Sequence, residues 1–237
     1  MISRIADWNF TPTDEAYSNL KNENIPVEKI QLTGNTIVDA LKEIIQENQE
    51  RMSSIIKKYD LQGKKYFYLT MHRRESWGKP MKSALSAIRT FLEVNQEYYA
   101  ILPVHPNPIV KEIASTIFKD LRNIKLIPPV DYIESVTLTA NASFVVTDSG
   151  GIIEESTTLC KPCLILREKI ERPESVKFGN AKLIGTKEDI VFNELQNFIR
   201  NIVPQVEFNA FNFSNIYGDG QAAEKIVNRL ETDYLMY

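Results

Sequence analysis

Phe144-Val145-Val146-Thr147-Asp148-Ser149-Gly150-Gly151-Ile152-Ile153-Glu154-Glu155 is the stretch whose reading decides the fold. A short apolar run ends in a Gly-Gly turn, and the residues after it can be helical. That is the order of a buried strand, a tight turn and a helix N-terminus. Paired glycines let a ligand approach the backbone with no Cβ in the way. The free N–H groups and positive dipole end of the following helix favour an anion, typically a phosphate. Glu154 and Glu155 fall in the first helical turn, where a carboxylate can accept from a sugar hydroxyl. The plain alternative is a strand-to-helix turn that needs glycine for packing alone.

The same order repeats on both sides. Apolar runs at 66–70, 100–104, 124–127, 163–166 and 182–184 read as strands, and helix-forming stretches fall at 81–94, 109–119, 133–140, near Pro173 and at 188–202. Short apolar strands alternating with helices build a parallel sheet covered on both faces. The expected fold class is α/β, a Rossmann-like doubly wound parallel sheet whose ligand site lies at the carboxyl ends of the strands. Nearer the N-terminus, Thr11-Pro12-Thr13-Asp14 opens a helix with a threonine cap and proline in the first helical position. Lys29 to Thr33 reads as a strand ending in Gly34-Asn35-Thr36. Ile37, Val38, Leu41, Ile44 and Ile45 keep helical spacing in one long helix from about Ile37 to Tyr59.

Five expected strand ends carry the polar residues. They are Met71-His72-Arg73-Arg74-Glu75, Val104-His105-Pro106-Asn107-Pro108, Pro129-Val130-Asp131-Tyr132, Asp148-Ser149-Gly150-Gly151, and Arg167 through Arg172. Any one of them could be a solvated, charged loop. Five on the functional edge of one sheet mark a binding site.

Composition narrows the function. A 237-residue chain with 43% apolar and 25% charged residues is that of an ordinary globular protein, and its net charge of −3 argues against a nucleic-acid partner. No run approaches the ~18 apolar residues of a membrane span, and Met1 to Trp8 lack the apolar core of a signal peptide, so a cytoplasmic protein is expected. Both cysteines lie in Cys160-Lys161-Pro162-Cys163. In redox motifs the first cysteine opens a helix after a strand. Here Cys160 closes a helix and Cys163 enters a strand, which suits two buried thiols better than redox chemistry.

Several of these segments together resemble the UDP-N-acetylglucosamine 2-epimerases. The resemblance rests on Leu32-Thr33-Gly34-Asn35-Thr36, His72-Arg73-Arg74-Glu75-Ser76-Trp77-Gly78, Pro103-Val104-His105-Pro106-Asn107-Pro108 and Thr147 through Glu155. Lys161-Pro162, Glu171-Arg172-Pro173-Glu174 and Tyr217-Gly218-Asp219-Gly220 belong to it too. The motifs keep the family's order and spacing from Ala6 almost to the C-terminus, and the His-Arg-Arg-Glu form resembles the bacterial non-hydrolysing enzymes.

What the resemblance implies can be set out residue by residue. The chain would be the second half of a GT-B arrangement: residues 1–34 a remnant of the first Rossmann-like domain, 35–215 the UDP-binding domain, and 216–237 a helix crossing back to the first. The family interconverts UDP-N-acetylglucosamine and its manno epimer by anti elimination and re-addition of UDP, with no cofactor and no metal. His72 would contact UDP, and Ser149, Gly150 and Gly151 would donate to the diphosphate. Glu155 would accept from the ribose, Arg172 would meet phosphate or sugar, and His105 would line a second, regulatory site. The carboxylates serving as acid and base would lie in the first domain, absent here. The implied partners are UDP-N-acetylglucosamine and UDP, with a homodimer or a separate N-terminal half as further possibilities; a binding module and a glycosyltransferase are the competing readings. Two departures stand out: Ser135 replaces an aromatic near the uracil, and Lys169-Ile170 replaces two threonines.

Overall fold

The computed structural model describes residues 2–171, 173–201 and 214–234. In chain order the elements begin with α1 (Ile2–Ile5), β1 (Asn9–Thr11), α2 (Asp14–Asn22), β2 (Ile30–Leu32), α3 (Thr36–Glu47) and α4 (Gln49–Lys58). Then follow β3 (Lys65–Thr70), α5 (Lys79–Val94), β4 (Tyr98–Pro103), α6 (Pro108–Ile117), β5 (Ile124–Ile127) and α7 (Tyr132–Asn141). The chain continues through β6 (Phe144–Thr147), α8 (Gly150–Thr158), β7 (Cys163–Ile165), α9 (Pro173–Phe178), β8 (Ala181–Leu183), α10 (Glu188–Asn201) and α11 (Ala222–Tyr234). They form two compact units, Asn48–Asn212 and Met1–Glu47 with Phe213–Tyr237. The sequence reading sets its boundaries at 34/35 and 215/216; in the structure α3 belongs to the smaller unit, with Met1–Glu47.

In the larger unit six strands pair in parallel, in the order β5-β4-β3-β6-β7-β8. This is the Rossmann winding, with the first strand of the unit in the middle and the direction reversing between β3 and β6. The central strands are buried on both faces, so alternate residues feed two cores. Phe67 and Leu69 join Phe144 and Val146 under α5 and α10, while Tyr66, Tyr68 and Val145 face the α7 side. Phe67 and Phe144 are register partners and stack at 4.9 Å. Tyr66 is buried but keeps its hydroxyl satisfied, donating to Leu138 O at 2.9 Å on α7.

The smaller unit holds the parallel pair β1–β2, with α11 packed on α3. Two motifs of the sequence reading meet here. Gly34 and Gly218 both have positive φ, and a Cβ on Gly218 would lie 2.9 Å from Gly34 Cα. Only paired glycines allow that approach, and Asn35 N then donates to Tyr217 O at 2.7 Å. Asp39 on α3 accepts from the N–H groups of Ala222 and Ala223 at 3.3 and 2.9 Å, capping α11.

Two sequence expectations are corrected. The expected long helix is two, interrupted at Asn48, a residue type that favours helix ends over interiors. At the other helix the cap is Thr13, not Thr11: its hydroxyl accepts from Ala16 N at 3.1 Å, while Thr11 belongs to β1 and Pro12 precedes the helix. The expected end of α10 at Ile202 and the end of the chain beyond Tyr234 lie outside the described residues.

The thiols divide. Cys163 is buried, and burial pushes its thiol up to about 12. Cys160 is only half-buried, and burial raises its pKa too. Neither is poised as a thiolate nucleophile. Cys160 instead closes α8 in a Schellman motif: Cys160 N donates to Thr157 O and Lys161 N to Ser156 O, with Cys160 at φ 52° where glycine is usual. A left-handed conformation costs a residue with a Cβ about 1–2 kcal/mol, of which glycine's greater unfolded entropy returns about 0.5–1 kcal/mol. Cys160→Gly should therefore raise unfolding free energy by up to about 1 kcal/mol in urea titration; a loss of stability would show that the thiol's packing outweighs the strain.

Candidate functional site

The turn after β6 and the turn after β3 are bound together by one side chain. Asp148, fully buried, accepts from His72 N at 3.1 and 3.2 Å and from Arg73 N at 3.0 Å. Beneath it the hydroxyls of Thr70 and Thr147, register partners on β3 and β6, meet at 2.5 Å, and Ser149 N donates to Thr147 Oγ1 at 2.9 Å. This fixes where α8 begins. Ser149 is its N-cap residue, but its hydroxyl makes no capping bond to the helix. A Cβ on Gly151 would meet nothing within 4 Å, so the backbone at the start of α8 is open to close approach, and the first N–H groups of a helix have no partner within it.

The open space is a cleft of about 440 Å³ between the carboxyl ends of β3, β4, β5 and β6. His72, His105, Ser149, Gly151 and Glu155 all line it. Gly150 starts the same helix with the Arg73 guanidinium 3.6 Å from where its Cβ would be. Arg172 lies outside the described residues. Pro103, Val104, Pro129, Val130 and Ile152 supply apolar walls, the mixture of apolar lining and few polar groups usual in ligand sites.

The two histidines differ in their supports. The exposed His72 ring has Nδ1 3.8 Å from Asp148 Oδ1, too long for a hydrogen bond, and its carbonyl accepts from Trp77 Nε1 at 3.2 Å. His105 Nδ1 accepts from Asn107 N at 3.2 Å, and its ring packs against Trp77 at 5.7 Å. In the neutral ring this puts the proton on Nε2. The structure brings both histidines to one cleft.

Glu155 is 5% exposed, and its Oε2 has no hydrogen-bond partner among the described residues. Burial first, then the neighbouring Glu154, raise its pKa to about 8, against a hydrogen bond from Tyr132 that lowers it. Tyr132, Tyr68, Ser135 and Asp148 have roles the sequence reading did not assign. Tyr68 and Ser135 share a hydrogen bond at 3.3 Å on the cleft wall, where the reading notes only a lost aromatic. Asp148 stands in the quoted motif; its importance follows from its neighbour β3, which local sequence does not name. Of the loop departures, Lys169 is exposed and Ile170 packs on the α7-side core.

Comparison with known proteins follows from this geometry. The family model described as UDP-N-acetylglucosamine 2-epimerase matches residues 1–231. The chain is 37% identical to the Bacillus subtilis UDP-N-acetylglucosamine 2-epimerase over 235 residues, covering 99% of this chain and 60% of that protein. With the Escherichia coli K12 enzyme of the same name it shares 33% identity, covering 98% and 63%. Among solved structures, the S. aureus MnaA-UDP co-structure matches with TM-score 0.89 and 36% identity over 100% of this chain and 63% of its own. The Neisseria meningitidis UDP-GlcNAc 2-epimerase bound to UDP-GlcNAc matches with TM-score 0.89 and 31% identity, over 97% and 62%. The α/β fold read from the sequence, the second half of a GT-B arrangement, is the fold of these neighbours over the span covered. The chain spans about 60% of the length of the curated relatives it matches.

Because the folded-state pKa of Glu155 lies above the ordinary 4.5, its contribution to stability is complete below about pH 4.5 and lost as pH rises through about 8. Glu155→Gln has no proton to lose. Between pH 5 and 9 the parent should lose a few kcal/mol more than the variant in denaturant titrations, at 1.36 kcal/mol per unit of pKa difference. Parallel pH profiles would contradict the assignment.

Proposed function

The chain belongs to the UDP-N-acetylglucosamine 2-epimerase family, and from that premise we propose that its larger unit binds the UDP portion of a nucleotide sugar in the interconversion of UDP-N-acetylglucosamine and UDP-N-acetylmannosamine. One observation carries this reading: a single cleft is lined by the open glycine backbone at a helix start and by a buried carboxyl oxygen that has no hydrogen-bond partner among the described residues. The first suits a diphosphate. The second suits a ribose hydroxyl, which would supply the missing hydrogen bond.

In this reading the Ser149 hydroxyl and the N–H groups of Gly150 and Gly151 donate to the diphosphate. Glu155, protonated below about pH 8, meets the ribose without setting a charge against the phosphates. His72 contacts UDP from the facing turn, and His105 serves a regulatory nucleotide-sugar site beside it. Arg172 is proposed as a phosphate or sugar contact. The C2 proton of the sugar is not acidic, since no carbonyl adjoins it in the ring. Elimination of UDP followed by re-addition on the other face avoids that difficulty, and preorganised donors then stabilise the departing diphosphate. The product would feed cell-surface polysaccharide precursors in the cytoplasm. No residue of this cleft is assigned as the base at C2.

A second reading is favoured by the chain's spanning about 60% of its relatives' length: a UDP half-site that works only with an N-terminal domain, joined or separate, or within a dimer. Both readings require UDP binding. Calorimetry should show it, and Ser149→Ala should weaken it by about 1–3 kcal/mol, the cost of a hydrogen bond to a charged group. No heat with millimolar UDP would sink both.

Catalysis separates the two readings. General acid–base groups typically contribute ~10²–10⁴-fold. If those groups belong to an N-terminal domain, the purified chain should give at most traces of the manno epimer from UDP-N-acetylglucosamine in deuterated water, followed at C2 by proton NMR. Deuterium incorporation at an enzymatic rate would show that this chain carries its own base.

A further inference from the structure

Two guanidinium groups converge on one carboxylate beside the start of α8. Arg73 Nη2 lies 3.4 Å from Glu171 Oε2, and Arg167 Nη2 lies 3.0 Å from Glu171 Oε1. Arg73 also reaches Glu75 at 3.1 Å, and its Nη2 is the group that stands against Gly150. The cations are the better anchored members. Arg167 is 12% exposed, with Nη1 buried and without a hydrogen-bond partner among the described residues, whereas the Glu171 side chain is 56% exposed.

A carboxylate and a phosphate offer a guanidinium the same pair of oxygens, and the phosphate brings more charge. An ion pair whose carboxylate is as exposed as Glu171 is weak and easily exchanged from that side. We propose that Glu171 is an internal competitor for the anion that the cleft binds: in the free chain it holds Arg73 and Arg167, and a ligand diphosphate displaces it. This rests on reading the cleft as a nucleoside diphosphate site. Glu171 would then set the affinity without touching the ligand. While bridged it keeps the two cations aligned, and it must be pushed aside before they serve a phosphate. Its carboxyl is held below the usual range by Arg167 first and Arg73 second, so it competes as an anion at neutral pH.

The test is calorimetric titration at low ionic strength with UDP and with uridine, on the full chain and on Glu171→Gln and Glu168→Gln. Glu168 is on the same exposed loop and has no arginine partner among the described residues. Removing its charge therefore measures the general field alone. Glu171→Gln should bind UDP roughly 3- to 10-fold more tightly than the parent, the equivalent of one weak ion pair. Uridine should bind all three alike, and Glu168→Gln should shift UDP affinity distinctly less. UDP binding by the parent, with no tighter binding by Glu171→Gln or an equal gain in Glu168→Gln, would overturn the competitor and leave the cleft reading intact. A parent that binds no UDP would overturn both.

Discussion

The bonds between the Asp148 carboxyl group and the backbone of the neighbouring turn hold the functional edge of this protein together. Asp148 sits at the end of a strand with no solvent access, where an uncompensated polar group would be costly. Its partners come from His72 and Arg73, 76 and 75 residues earlier in the chain. One contact thus settles three things. It closes the crevice where the winding of the sheet reverses, it fixes the backbone from which His72 and Arg73 project, and it sets Ser149 at the head of α8. The same arrangement satisfies the buried oxygens and leaves the helix's first N–H groups unspent.

Much of this was legible before any coordinates. The apolar runs at Phe67 and Phe144 are too short for helices and are bounded by turns, so a buried parallel sheet was the natural reading. Ser149, Gly151, Glu155, His72 and His105 do line one cleft. What sequence could not supply was pairing across the sheet. Asp148, Tyr132 and Tyr68 matter through residues on other elements, and no local pattern names those partners. The same limit explains Gly34 and Gly218, whose need for glycine comes from each other. Asn48 is the opposite case, a local signal overridden in the reading by the apolar spacing around it. At Cys160 the Schellman geometry won over the residue's own preference, because the hydrogen bonds of Cys160 and Lys161 depend on that backbone.

The acidic residues around the cleft show how an anion site can stand among carboxyl groups. Asp148 lies next to the head of α8, but its oxygens are turned to N–H groups beneath the turn. Glu155 lies one turn into the helix with one oxygen unpartnered among the described residues, and burial keeps its proton on to about pH 8. Glu171 stays ionised, but it is exposed and bridges arginines. Of these three acids, Asp148 is compensated by backbone N–H groups, Glu155 keeps its proton at neutral pH, and Glu171 is paired with arginines. Were Glu155 ionised at neutral pH, its charge would repel a bound diphosphate, within a cleft where screening is weak. The desolvation that makes this carboxyl expensive to ionise is what keeps its negative charge away from the head of α8 at neutral pH.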